Sequence, residues 1–352
     1  MSARKASAVV QPIPQSSNIA SLSHGGDLAA ARRLFPGAPE PFIDLSTGIN
    51  PHSYPVPRLS SEVFARLPEP GALERVAAAA AAAYGAPSRP HVVLAPGTQI
   101  LLAAMATQVA PGRAVVLGPT YGEFARAAAL AGHQVTEVAS IAQLADADLA
   151  IVANPNNPDG RVFGRADLLG AAEALRGRGG RGRLVIDEAF MDVGPHGASL
   201  GGEVARGNIV VLRSFGKFYG LAGVRLGFAL AAPDLAARLT AWLGPWAVSG
   251  PALAIGAVAL ADAAWAQAMR ERLAADARRL DAALAAVGLD VAGGTSLFRL
   301  VETRAADEVF HHLGRAGIWV RRFAERPAWL RFGLPADEAA WERLRAALAV
   351  GR

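Results

Sequence analysis

Three short segments carry reactive residue types at a regular spacing. Asn154-Pro155-Asn156-Asn157-Pro158-Asp159-Gly160 comes first, then Asp187-Glu188-Ala189-Phe190, then Ser214-Phe215-Gly216-Lys217, with Arg225 beyond. Asn157 stands thirty residues before Asp187, and Asp187 thirty before Lys217. Each segment follows an apolar run that reads as a strand. A lysine amine becomes a nucleophile when it is partly deprotonated and aimed at its target. A carboxylate favours the protonated form of a basic group beside it. Arginine holds phosphate or carboxylate in two-pronged fashion. Upstream, Gly97-Thr98 opens an apolar helix, whose free N–H groups form a ready anion site. Singly, each segment is ordinary: an asparagine-proline turn, a helix cap, a surface loop. Their shared order carries the information.

The elements that must position these residues are legible as short apolar runs. His91–Leu94, Ala114–Leu117, Val135–Val138, Leu149–Ala153, Leu184–Ile186 and Ile209–Leu212 read as strands. Helix-like stretches lie between, among them Ile100–Val109 and Phe124–Ala131. Continuous apolar strands alternating with helices predict a mostly parallel sheet covered on both faces. Ligands bind such sheets at the carboxyl ends of the strands, where Thr98, Tyr121, Asn157, Asp187, Ser214 and Lys217 stand. Downstream, a long helix at Ala263–Val287 precedes strands at Ser296–Val301, Ile318–Val320 and Trp329–Phe332, with helices at Ala305–Ala316 and Ala336–Leu348. This predicts a smaller α+β domain. The expected organisation is a disordered tail over 1–18 and an N-terminal segment over 19–60 packing with the small domain. The large domain then spans 61–245 and the small one 246–352.

The chain has 352 residues, 52% of them hydrophobic and 18% charged, a composition that excludes wholesale disorder. It has no cysteine, so disulfides and thiolate metal sites are excluded, and no histidine–carboxylate cluster predicts another metal. Net charge is +5 and the pI about 10.2. The dense cluster Arg176, Arg178, Arg181 and Arg183 is laced with glycine and reads as a solvated loop, not a nucleic-acid surface. No charged residue occurs from Ala241 to Ala261, but Pro245 and Pro251 interrupt that stretch. It reads as a buried connector and a core helix, not a membrane span. No secretory signal is visible at the N-terminus, and a cytoplasmic location is expected.

Taken together, the Asn157, Asp187, Ser214, Lys217 and Arg225 segments resemble the fold-type I pyridoxal-phosphate enzymes of the class I/II aminotransferase family, over roughly residues 20 to 350. The resemblance implies an α/β fold, with a helix-covered, mostly parallel large-domain sheet and a smaller α+β domain. It implies pyridoxal 5′-phosphate as cofactor, joined to Lys217, with Asp187 against its pyridine nitrogen. Gly97, Thr98, Ser214 and Arg225 would hold its phosphate. Tyr121 would stack on its ring and Asn157 meet its phenolic oxygen. A homodimer is implied as well. Two positions depart from the pattern. Phe190 stands where many relatives have tyrosine. In Arg66-Leu67-Pro68-Glu69, Leu67 replaces a tyrosine that reaches the neighbouring subunit's cofactor. Both lost hydroxyls bear on ordinary aminotransferase behaviour, not on the lysine chemistry.

The generic motifs fix the cofactor and leave the reaction open. His24-Gly25-Gly26-Asp27 and Ile43-Asp44-Leu45-Ser46-Thr47-Gly48-Ile49-Asn50-Pro51 resemble the branch of the family that decarboxylates L-threonine O-3-phosphate to (R)-1-amino-2-propanol phosphate for cobalamin. That branch is similar in fold to histidinol-phosphate aminotransferase. The substrate would then be a small phosphorylated amino acid. Arg331 matches the arginine for its carboxylate, and Arg321 the arginine for its phosphate. Arg322 is the alternative, since neighbours in a strand point to opposite faces. His24, Thr47, Gly48 and Asn157 complete the expected substrate side. A histidinol-phosphate-type or other class I/II aminotransferase is the other reading.

Overall fold

The structure, a computed structural model, describes residues 24–177 and 181–350. The tail expected over 1–18, and Arg178 of the basic cluster, lie outside the described residues. Among the described residues, twelve strands form two sheets. In chain order they are β1 Ile43–Leu45, β2 Val92–Ala95, β3 Arg113–Leu117, β4 Gln134–Val138, β5 Leu149–Ala153, β6 Arg183–Asp187, β7 Ile209–Ser214, β8 Gly227–Leu230, β9 Val291–Thr295, β10 Phe298–Glu302, β11 Ile318–Arg322 and β12 Trp329–Gly333.

The larger sheet has the order β2-β8-β7-β6-β5-β3-β4. Strands β3 to β7 pair in parallel, and β8 runs antiparallel between β7 and β2. Its strands are apolar on both faces because both are covered. In β5, Ala150 and Val152 face one core cluster and Leu149, Ile151 and Ala153 the other, all 4% exposed or less. Burying such side chains stabilises by about 1.5–3 kcal/mol for each large one. The alanine-rich runs are helical, within Pro70–Tyr84 and Glu123–Leu130.

The smaller sheet has the order β1-β11-β12-β10-β9. Its edge strand β1 pairs in parallel with β11, Ile43 opposite Ile318, so the beginning and end of the chain share one sheet. Strands β11 and β12 are antiparallel, and Arg321 lies directly opposite Arg331.

The stretch Ala241–Ala261 is not the buried connector expected. Ala241–Leu243 ends the helix Pro233–Leu243, where Trp242 is 46% exposed, and the connector beyond exposes Trp246 (54%). The apolar helix Gly250–Ala261 follows, with Pro251 in its first turn, where a missing N–H costs nothing. Among the described residues no single helix is long and apolar enough to cross a membrane. That helix and Ala263–Ala285 reach the length together, but bend by 79°.

Candidate active site

The carboxyl end of the larger sheet gathers the first group of residues. Asp187 ends β6, and Ser214 ends β7 and leads into the short helix Phe215–Phe218 that carries Lys217. Antiparallel β8 begins at Gly227, beside both Ser214 and Ala95. It therefore brings the turn after β2 against Arg225. Gly97 caps the helix Thr98–Thr107 with φ +88°, a conformation that disfavours any residue with a Cβ. A Cβ there would lie 2.7 Å from an Arg225 guanidinium nitrogen. Arg225 itself holds a left-handed φ of 57°, a strain typical of functional sites. The helix N-terminus at Thr98, the Ser214 hydroxyl, which caps nothing, and the exposed Arg225 thus form one anion cradle.

Lys217 donates no hydrogen bond and makes no ion pair among the described residues; its Nζ lies 5.8 Å from the Phe190 ring centre. Burial and then the Arg331 charge bring its amine down to about 8, against the pull of Asp187. Burial pushes the Asp187 carboxyl up to about 6, although it accepts the Ala189 N–H at 3.1 Å and faces Lys217. Tyr121 is half-buried, its ring edge-on to Phe124 and its hydroxyl donating to Gln99 Oε1 at 3.3 Å. Burial, Glu123 and Asp187 push that hydroxyl up to about 12.

The smaller sheet supplies the second group. Arg331 is 6% exposed and donates to Asn157 Oδ1 and, at 2.7 Å, to the Ser46 carbonyl. Its Nε has no partner among the described residues. Residues directly opposite in an antiparallel pair share a face, so Arg321 stands beside Arg331, and its charge, after burial, lowers the Arg331 pKa. Arg322 points the other way, into an ion pair with Asp307 at 3.0 Å over the Phe310 ring. Of the two arginines left open by the sequence, Arg321 is the one that shares a face with Arg331. Of the asparagine run, Asn154 and Asn156 are buried and bind the loop's own neighbours, while Asn157 faces Arg331.

The N-terminal segment closes over this arrangement. Gly26 N–H donates to Ser46 Oγ at 2.8 Å, and Ser46 Oγ donates to Asp44 at 2.6 Å. A Cβ on Gly25 would collide with the Ser46 carbonyl that holds Arg331. Thr47 lies half-buried near Gly26. Gly48 packs where a Cβ would come within 2.9 Å of both the Phe190 and Phe298 rings. His24 reaches across to Glu123, Nε2 to Oε1 at 3.3 Å, with its ring near Tyr121. Glu123, 4% exposed, is a residue that sequence reasoning passed over, because an acidic residue in a helix's first turn is ordinary. Leu67 takes no part; it is 65% exposed on the surface. Among the described residues no cluster of histidine and acidic residues could hold a metal.

Residues 42–348 match the family described as aminotransferase class I and II. The chain belongs to that family. Among class I and II relatives, a threonine-phosphate decarboxylase of Pseudomonas aeruginosa is 45% identical over 331 residues, 93% of this chain and 97% of its own length. One from a Sinorhizobium species is 43% identical over 337 residues, 94% of this chain and 98% of its own. Histidinol-phosphate aminotransferase of Sinorhizobium meliloti, solved with pyridoxal 5′-phosphate, shares the fold at a TM-score of 0.78 and 22% identity, covering 95% of this chain and 96% of its own. The class I/II architecture, a large mostly parallel sheet with a smaller one beside it, is the fold the sequence predicts.

Proposed function

We propose that the protein is a pyridoxal-phosphate-dependent carboxy-lyase that converts L-threonine O-3-phosphate to (R)-1-amino-2-propanol phosphate and carbon dioxide, a step that serves cobalamin synthesis. The observation that carries this reading is the arrangement of charges at the site. Arg331, buried and without an anionic partner among the described residues, stands beside Arg321, and its charge acts on a lysine that has its own carboxylate, Asp187. Two full-length relatives at 43% and 45% identity bear the decarboxylase name.

The residues fit the cofactor. Gly97, Thr98, Ser214 and Arg225 would hold its phosphate, Tyr121 its ring face, Asn157 its phenolic oxygen, and Asp187 its ring nitrogen. Bound there, pyridoxal phosphate supplies an aldehyde for an amine and a protonated ring that accepts the electron pair of a breaking bond. The side chains do the rest. Lys217, with its amine near 8, has a deprotonated fraction at neutral pH to hold the aldehyde. Asp187, ionised above about 6, keeps a proton on the ring nitrogen. Arg331 grips the substrate carboxylate and sets the direction of the bond to be broken; Arg321, His24 and Thr47 take the phosphate. After carbon dioxide leaves, the Lys217 ammonium is placed to deliver one proton to the α-carbon. Orientation of this kind is worth several kcal/mol of barrier.

The test is to give the cofactor-loaded protein L-threonine O-3-phosphate and measure carbon dioxide and amine together. Equal release of both is expected. No carbon dioxide, with accumulation of the pyridoxamine form from histidinol phosphate, would replace the reading with an aminotransferase.

A homodimer is part of this proposal. Phe64 and Leu67 are 67% and 65% exposed, and Trp242 and Trp246 about half exposed. Gly250 packs against the Val63 carbonyl, which joins the two groups of side chains into one face. Apolar patches of this kind mark protein interfaces. Sedimentation at micromolar concentration should give twice the chain mass of 36.4 kDa; a monomer would refute it.

A further inference from the structure

We propose that Glu123 is a positioning residue for substrate recognition: its buried carboxylate seats His24 at the mouth of the site so that the free ring nitrogen can meet the substrate phosphate. The inference rests on the decarboxylase reading above.

A buried carboxylate beside a site for a doubly anionic substrate is a liability unless it is fully engaged. Glu123 is engaged on three sides. Gln99 Nε2 donates to Oε2 at 2.8 Å, Arg126 Nη1 to the same oxygen at 3.0 Å, and Oε1 faces His24 Nε2 at 3.3 Å. Glu123 belongs to the helix after β3, in the larger sheet's layer. His24 belongs to the strap that Gly26 and Ser46 tie to the smaller sheet. The contact therefore links a helix of the larger sheet's layer to the strap tied to the smaller sheet. It also orients the imidazole. With Nε2 committed to a carboxylate, Nδ1 is the nitrogen left to donate or accept elsewhere, and it has no partner among the described residues. The ring centre lies 5.9 Å from that of Tyr121, whose hydroxyl feels Asp187 and Arg321. His24 is thus held at the Tyr121 end of the site. Its side chain is 47% exposed, so without Glu123 nothing among the described residues would fix it. Preorganising a ligand-binding group improves affinity by cutting the ordering cost of binding.

The experiment is a double-substitution cycle on the cofactor-loaded enzyme. Glu123→Gln keeps the shape and the neighbours of the side chain while removing its charge. It should raise KM for L-threonine O-3-phosphate about tenfold, equivalent to about 1.4 kcal/mol, with kcat and the cofactor's visible absorbance little changed. His24→Ala should do the same, and the double variant should be no worse than His24→Ala alone. Discrimination between threonine phosphate and plain threonine should fall in all three. An unmoved KM, or an independent loss in the double variant, would overturn the proposal; the latter would mean that Glu123 acts through Gln99 and Tyr121 instead. Should Glu123→Gln fail to fold, the exposed His24→Ala alone decides, since an unchanged KM there removes the residue through which Glu123 is said to act. Absence of carbon dioxide from the unsubstituted enzyme in the same assay would instead sink the decarboxylase reading.

Discussion

Two arginines are buried to nearly the same degree, Arg213 at 4% and Arg331 at 6%, and their surroundings are opposite. Arg213, on β7, is close enough to Asp187 for its charge to act on that carboxyl. It binds Glu188 at 3.0 Å and Asp192 at 2.9 Å, with its guanidinium over the Tyr84 ring. Burial lowers its proton affinity, but the two carboxylates more than reverse this. Arg331 is on β12 of the smaller sheet, and its charge acts on Lys217. It has a carbonyl and an amide oxygen for partners and a second arginine for a neighbour; burial and Arg321 lower its pKa, and Asp44 offsets this in part. An arginine keeps its charge in either place. The first charge is balanced within the fold. The second, on Arg331, has no carboxylate partner within ion-pair distance among the described residues and lies beside a like charge on Arg321.

The sharpest way to break this contrast is through the group between the two arginines. Lys217→Ala should abolish turnover while leaving the fold intact, and retained activity would detach the whole site from the chemistry. Arg213→Met should come next. Stranding Glu188 and Asp192 without their cation should cost about 3–5 kcal/mol of stability, read as a large fall in melting temperature. Arg331→Met should do the reverse: substrate binding weaker by about 2–5 kcal/mol, seen in KM, with a melting temperature equal to or above that of the unsubstituted protein. If both substitutions act mainly on stability, the distinction between a structural and a ligand-binding arginine falls. The smallest effect concerns Asp187 in the cofactor-free protein. Its carboxyl is raised from an ordinary 3.8 to about 6, so the neutral form is the one the fold favours. The favourable contribution is complete below about pH 4 and is lost as pH rises through 6. Asp187→Asn should therefore melt with the unsubstituted apoprotein near pH 4 and above it at pH 8. A constant difference across that range would show that the carboxylate carries no burial cost.

The two regions also differ in how far the sequence revealed them. Lys217, Asp187 and Ser214 each end a short apolar run, so strand and functional residue lie side by side in the chain and can be read together. The substrate side depends on contacts between distant segments. Strand β1 is three residues long and exists through its pairing with β11; nothing local marks it. Strand β9, Val291–Thr295, contains two glycines and is formed against β10, and β8 is a run of only four residues. The choice between Arg321 and Arg322 is a matter of register with β12, which alternation poses but cannot answer. Glu123 is identified by burial alone. Phe190, a departure from the family pattern, fills a site packed by Gly48 and Phe298, so the missing hydroxyl leaves no hole.

The pairing of β1 with β11 sets a timetable. On the ribosome, Ile43–Leu45 emerges early, but its partner at Ile318–Val320 follows only after on the order of tens of seconds of synthesis. The larger sheet is complete once β8 has emerged at Leu230, so the cofactor cradle can assemble on the nascent chain. During that interval β1, Ser46 and the glycine strap wait beside it with no sheet to join. The last strands to be translated convert a cofactor-holding scaffold into one with somewhere to put a substrate.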